Sequence, residues 1–417
     1  MKLAHKKPML GLLLAVFFVE PAGLAPSTRV SQVWVGTWAA SQQIPEPQNA
    51  LPGEALRDIT LRQLFHLSLG GTTVRVRLSN AFGTEPLHFT SVHIARPLAA
   101  ASSAIDPGSD RPLSFSGSSD VTVPAGAEYV SDPVEYSVAP LSSLAITFHL
   151  DAAPAPQTGH PGSRATSYYI HGDQVTAATL PNANKIDHWY QVSGIDVLAP
   201  VPAASVVALG DSITDGHGAT TNGNERWTDV LARRLQASPG TRQISILNQG
   251  IGGNHLLTDG LGPSALARFD RDVLAQSGVH WLIVFEGIND LGGLARQGEA
   301  PSTEHSLLVH RIIAAYQQII ARAHTHSIRV MGATITPYVG SDYYHPAPAN
   351  EADRQTINHW IRASAHFDAV LDFDRVVRDP SRPDRLLPAY DCGDHLHPSP
   401  AGYRALAEAV PLSLFAH

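Results

Sequence analysis

The spacing of apolar residues along the chain changes character once, near residue 200. Before that point apolar and polar positions tend to alternate. Runs at 60–69, 72–78, 88–95 and 144–150 are short and strand-like. TVRVRL at 73–78 sets aliphatic against charged residues, as a half-buried strand requires. Turn residues recur between the runs: Gly70-Gly71, Asn80-Ala81-Phe82-Gly83, Asp106-Pro107-Gly108 and Pro124-Ala125-Gly126. Many short strands with regular breaks predict an antiparallel β-sandwich or jelly roll over 30–198. APVPAA at 199–204 reads as a linker. Beyond it, five apolar runs at 205–209, 244–248, 279–286, 328–334 and 369–372 have the continuous character of buried parallel strands. Between them the period is helical. Trp227, Val230, Leu231 and Leu235 share one face, Leu266, Phe269, Val273 and Leu274 another, and 302–323 and 350–365 supply two more helices. Alternating strand and helix over 205–417 predicts a doubly wound α/β domain with a five-stranded parallel sheet.

The first 25 residues follow a different pattern. Lys2, Lys6 and Lys7 precede an apolar run at 9–19, and small residues follow at 22–25. This is the order of a secretory signal peptide, with an apolar core too short to span a bilayer. Segment 1–25 is therefore expected to be removed on export, giving a secreted or periplasmic protein; an uncleaved anchor is the alternative, and Pro26 leaves the cleavage position open. No later apolar stretch approaches ~20 residues, so no membrane span is expected after processing. Hydrophobic residues at 43% are ample for buried cores, while charged residues at 16% with 33 glycines and 31 prolines indicate a loop-rich globular protein, not a disordered chain or a coiled coil. Lys+Arg 29 against Asp+Glu 37, with no basic runs, argues against a nucleic-acid partner. A single cysteine excludes an internal disulfide framework and a Cys-based zinc site.

In doubly wound sheets, chemistry gathers at the carboxyl ends of the strands. The first parallel run ends in Gly210-Asp211-Ser212-Ile213-Thr214-Asp215-Gly216, where a serine opening a helix sits beside free backbone N–H groups; a simple helix cap is the bland reading. The second ends in Asn248-Gln249-Gly250-Ile251-Gly252-Gly253-Asn254. Its glycines can let backbone N–H groups approach a substrate oxygen or merely form a turn, and His255 stands where a dinucleotide fingerprint needs its third glycine. The third ends in Glu286-Gly287-Ile288-Asn289-Asp290, whose Asn289 amide can serve an oxyanion or an Asx-turn. After the fifth, Asp394 and His397 lie three apart, so one loop can hold a carboxylate against an imidazole that shuttles a proton. His395 and His397 with a carboxylate would be the metal reading of the same loop.

Taken together, these blocks resemble the SGNH hydrolases, also called the GDSL esterase/lipase family, at Gly210–Ser212, Asn248–Gly253, Gly287–Asp290 and Asp394–His397. Ile213 replaces the leucine of the family's name. The long β-rich half opening with Gly36-Thr37-Trp38-Ala39 is similar to a secreted bacterial and fungal subgroup. The resemblance implies an SGNH/flavodoxin-like fold. It also implies Ser212 as nucleophile, His397 as general base and acid, and Asp394 as the group fixing the imidazole tautomer. The oxyanion hole would comprise the Ser212 and Gly253 N–H groups and the Asn289 amide; Gly252 is the neighbouring candidate. No cofactor and no metal are implied. The expected function is a secreted serine esterase acting through an acyl-enzyme, on short-chain (acetyl) esters of carbohydrate. Two alternatives remain: a carboxylesterase or lipase on small or lipid esters, and a glycan-binding protein with a vestigial hydrolase domain. Neither G-x-S-x-G, H-E-x-x-H nor a Walker motif occurs. Four features are set aside as structural: Asp215 as a cap of the next helix, Trp227 as core, Cys392 as a small packing residue, and the aromatic clusters 188–190 and 343–346 as loop anchors or a glycan-binding wall.

Overall fold

The parallel sheet is built on five strands in the spatial order Ile244–Gly250, Ala204–Gly210, Val279–Phe285, Arg329–Ala333, Ala369–Leu371. In chain order this is 2-1-3-4-5, so the chain reverses its direction of growth at the first strand, and the third begins the other side. Ser212 follows the first strand and Asn289 follows the third, which places them on either side of that switch point. The computed structural model describes residues 1, 31–363 and 365–416. Apart from Met1, the expected signal segment 1–25 lies outside them. Among the described residues no helix is long and apolar enough to cross a membrane.

Helices cover the sheet in two groups. Trp227–Ala237, Phe373–Val377 and Pro400–Ala409 pack together, as do Ala265–Phe269, Ile288–Ala295, Ser302–Thr325 and Pro348–Arg362. The apolar stripes read from the sequence face inward: Trp227, Leu231 and Leu235 are fully buried, as are Phe269 and Val273. Each such side chain contributes about 1.5–3 kcal/mol on leaving water.

The N-terminal region holds two antiparallel sheets. One has the order Gln32–Ala39, Val192–Pro200, Gly71–Ser79, Glu128–Val130, with Val134–Val138 also paired to Gly71–Ser79. The other runs Asn184–Ile186, Ser167–His171, Ile59–His66, Ser143–Leu150, Leu87–Ala95, Arg111–Pro112, with Val121–Val123 also paired to Leu87–Ala95. Val74, Val76 and Ile195 of the first share one core with Phe65, Phe89 and Phe148 of the second. The first antiparallel sheet ends at Pro200 and the parallel sheet begins at Ala204, so three residues separate them.

Residues 32–417 form a single compact unit, and the reason is visible in the Gln32–Ala39 strand. Ser245 Oγ donates to Gly36 O (2.6 Å), and a side chain at Gly36 would stand 2.8 Å from Leu247 Cδ1. The strand thus lies against the outermost parallel strand. The alternation expected at 73–78 holds through Val76 and fails at Arg77, which is buried. Arg75 Nε and Arg77 Nη2 converge on Asp196 Oδ2 at 2.9 and 3.1 Å, and Arg77 Nη1 donates to Ala275 O (2.9 Å). The face that alternation assigns to solvent is covered by the C-terminal region, and a carboxylate there meets the arginines.

Candidate active site

Ser212 opens the one-turn helix Ser212–Asp215 directly after the first parallel strand. Asp211 caps it, Oδ1 accepting from Ile213 N–H (2.9 Å). As the first helical residue, Ser212 has an N–H outside the intrahelical ladder. Ser212 Oγ lies 2.8 Å from His397 Nε2, and His397 Nδ1 lies 2.6 Å from Asp394 Oδ2. A carboxylate at Nδ1 requires the proton there and leaves Nε2 to accept from the serine hydroxyl. Asp394 is fixed in turn by its own loop: Oδ1 accepts from Leu396 N–H (3.0 Å) and His397 N–H (2.8 Å). Partial burial works against its charge, but the His397 bond and those N–H groups hold it well below the usual carboxylate range. The structure therefore joins Ser212, His397 and Asp394 in one continuous hydrogen-bonded chain.

His217, which the sequence reading passed over, stacks beside this chain. Its ring centroid is 4.0 Å from that of His397, its Nε2 is 3.7 Å from Asp394 Oδ2, and its Nδ1 accepts from Arg164 Nη2 (3.4 Å). Burial, then the neighbouring His397 and Arg164, push His217 down to about 4. At neutral pH it adds no second positive charge beside a protonated His397. Arg164 comes from the N-terminal region, so that region reaches the rim of the site.

The remaining candidates sit on a second network. Gly253 has φ +67, a left-handed conformation that favours glycine, whereas Gly252 does not. Asn289 is the second residue of the Ile288–Ala295 helix; Nδ2 donates to Asn254 O (2.7 Å), and Tyr344 OH donates to Oδ1 (2.5 Å). Asn289 is thus tied to the residue next to Gly253 and is not in an Asx-turn. Asn248 joins the first two strand ends, donating to Thr214 O (2.6 Å) and Thr228 Oγ1 (2.9 Å). Asp290 accepts from the N–H groups of Leu256 and Leu257.

Beneath both networks lies a fully buried guanidinium. Arg268 donates to Ser41 Oγ, Gln249 O, Gly210 O, Asn254 Oδ1, Asp272 and Glu286 at 2.7–3.3 Å. Burial pushes the nearby Asp211 carboxyl up to about 7, reinforced by the Asp290 and Asp215 charges and opposed by the Ile213 N–H and Arg268. In the unfolded chain an aspartate titrates near ~3.9. Between these values the folded form holds more protons, so this group's contribution to stability falls as pH rises from about 4 to about 7. Asp211→Asn keeps an oxygen for the helix cap and is expected to remove that slope, gaining on the parent as pH rises from about 5 to 8. Melting curves of both proteins across that range test this, and a constant difference in Tm would refute it.

Two residues set aside from sequence, Asp215 and Cys392, behave differently. Asp215 is neither a cap nor a contact of the Ser–His–Asp chain: it ends the Ser212–Asp215 helix, and its Oδ1 meets His160 Nε2 (2.9 Å), both groups being buried. Cys392 is exposed and does not pack inside; burial of its thiol, then Asp394, push that thiol up to about 11. His188-Trp189-Tyr190 is an anchor, with Trp189 and Tyr190 buried, whereas Tyr343 is exposed and Tyr344 buried. Trp227 is core, as expected. The imidazoles of the metal reading are engaged separately, His395 with Asp391 and His397 with Asp394. Among the described residues, ligand atoms of His217, Asp394 and His397, and of Asp391, Cys392 and Asp394, lie within 4.8 Å of one another.

A cavity of about 60 Å³, lined by residues that include Trp38, His66, Trp189, Asp215 and Arg226, touches none of Ser212, Asp394 or His397. A groove of about 350 Å³ does reach the second network, lined by Gly253, His255, Leu261, Arg296, Tyr343 and Tyr344.

Comparison with known proteins follows the same division of the chain. Residues 208–405 match the model of the GDSL-like Lipase/Acylhydrolase family. Solved structures similar to this chain include a protein described as lipolytic and of the G-D-S-L family from Desulfitobacterium hafniense, at 24% identity, TM-score 0.37, over 49% of this chain and 97% of that one. A GDSL-like lipase from Bacteroides thetaiotaomicron is 18% identical, TM-score 0.35, over 51% and 87%. The acetyl xylan esterase AlAXEase is 22% identical, TM-score 0.35, over 49% and 96%. No curated protein matches the chain.

Proposed function

We propose that the chain is a serine esterase with Ser212, His397 and Asp394 as its triad, a reading supported by the match of residues 208–405 to the GDSL-like Lipase/Acylhydrolase family model. One observation carries this reading: the chain Oγ–Nε2, Nδ1–Oδ2, with contacts of 2.8 and 2.6 Å. Ser212 Oγ attacks the ester carbonyl while Nε2 takes its proton. The N–H groups of Ser212 and Gly253 and the Asn289 amide hold the oxyanion. The alcohol leaves with the proton from Nε2. Water, deprotonated by the same nitrogen, then releases the acid from the acyl-enzyme and restores Ser212.

The proposed substrates are short acyl esters, acetyl above all, on carbohydrate. The groove at Gly253 supports this reading because its walls include Arg296 and His255, poor company for a long alkyl chain. Leu261 and Tyr343 are exposed apolar side chains on the same groove, and they favour the second reading, hydrolysis of small or lipid esters. Export through segment 1–25 is part of the proposal and is supported by the sequence pattern alone. The test is acid release from acetylated xylan or pectin and from p-nitrophenyl esters graded from acetate to decanoate. Acetate release from polymer, with activity collapsing beyond butyrate, is the expected result. A preference for long chains with an inert polymer would establish the second reading, and polymer binding without any hydrolysis would overturn both.

A further inference from the structure

A carboxamide serves an oxyanion only in one of two nearly isosteric orientations. Rotated by half a turn, it aims a lone pair at the developing charge. What decides the orientation of Asn289 is the pair of partners it already has. Asn254 O accepts from Nδ2, and the Tyr344 phenol donates to Oδ1. In the reversed orientation Oδ1 would face the Asn254 carbonyl oxygen, and the phenol would lose the acceptor it donates to. One Nδ2 proton is used on Asn254 O, and the second remains for a substrate.

Both partners are themselves held. Asn254 is fully buried; its Oδ1 accepts from Arg268 Nε (3.0 Å) and Nη2 (2.8 Å), and its Nδ2 donates to Pro263 O (2.9 Å). Tyr344 is 4% exposed and stands edge-to-face with Tyr343, ring centroids 4.7 Å apart. Its ring lies on Gly292, one turn beyond Asn289 in the same helix: a Cβ there would come within 2.5 Å of three ring carbons. Burial raises the phenol above its ordinary range, so it stays a donor. A bare helix surface and a buried tyrosine thus deliver one hydroxyl to one amide oxygen.

We propose that Tyr344 is a positioning residue for the oxyanion hole, orienting and polarising the Asn289 amide through Oδ1. This rests on the proposed role of Asn289, and the test separates the two. On p-nitrophenyl acetate, Asn289→Ala is expected to lower kcat by about 10²–10³. Tyr344→Phe, which keeps the ring, is expected to lower kcat about tenfold, the rate equivalent of one hydrogen bond, with KM unchanged and Tm lower by a few degrees at most. In the Asn289→Ala background the same change is expected to leave kcat unaltered. Gly292→Ala, which displaces the ring but keeps the hydroxyl, is expected to reproduce the kcat loss. If Asn289→Ala retains full turnover, the oxyanion reading fails, and this inference with it. If Asn289→Ala is impaired but Tyr344→Phe is not, or if Tyr344→Phe loses the same factor in both backgrounds, this inference alone is overturned.

Discussion

Replacing Ser212 by alanine is expected to lower kcat by about 10⁶, to the residual rate that binding and an oxyanion hole sustain without a nucleophile. The size follows from the geometry. Among the described residues, Ser212 Oγ is the group in hydrogen-bonding contact with Nε2 of an imidazole whose other nitrogen is fixed by a carboxylate. Without it, His397 can only activate water in a site shaped for an internal attack. The side chain is small, and its recorded bond is the one to His397, so Tm should stay within about a degree or two of the parent. Steady-state hydrolysis of p-nitrophenyl acetate, with a melting curve as control, checks both statements. Hydrolysis persisting above about a thousandth of the parental rate would move the chemistry to another residue.

The largest structural effect is expected at Arg268. Its side chain has no exposure, and its donors meet three strand-end or loop groups (Gly210 O, Gln249 O, Asn254 Oδ1), one hydroxyl from the N-terminal region and two carboxylates. Arg268→Met would fill much of the space while taking a donor from each of those acceptors, of which Gly210 O keeps the Ile251 N–H. Asp272 keeps Arg271 as a partner, but Glu286 already has one buried oxygen without a hydrogen bond. Breaking a buried ion pair from one side costs about 3–5 kcal/mol, and the acceptors that lose a donor add to it. A large fall in the denaturation midpoint, or no soluble protein, is the expected result. Arg268→Lys should rescue little, because one ammonium cannot reproduce a planar fork that reaches six partners. An unchanged midpoint in Arg268→Met would show that the acceptors are satisfied without the guanidinium.

Arg268 also marks where sequence reasoning stops. The parallel strands were legible because they are continuous apolar runs. Ser212 and Asn289 stood out because polar residues just beyond such runs have few structural reasons to be there, and Asp394 and His397 because a carboxylate and an imidazole three residues apart fit one loop. Arg268 sits between Leu266 and Phe269 on an amphipathic stripe, where its charge reads as a solvated face. It is buried because strand ends and Ser41, distant in sequence, close over it. Arg77 misled in the same way within TVRVRL, since alternation predicts which residues share a face and not what covers that face. Tyr344 was visible only as part of an aromatic cluster, and His217 carried no local signal. Their roles depend on Asn289, 55 residues before Tyr344, and on His397, far beyond His217. Cys392, expected as a small packing residue, lies exposed on the loop in which His395 bonds Asp391.

The buried polar junction between the two β-rich and α/β regions has a consequence for how such a chain can be rearranged. Ser41 on Arg268, Asp196 beneath Arg77 beside Ser277, and His160 on Asp215 at the end of the Ser212–Asp215 helix are matched donor–acceptor sets, each split across the junction. A greasy interface tolerates a new partner of similar shape; a buried set of complementary hydrogen bonds does not. Splicing one region onto a counterpart of different sequence would therefore leave unmatched polar groups beneath Ser212. The two regions are matched to each other through these buried groups, and a chimera is expected to be less stable than the parent.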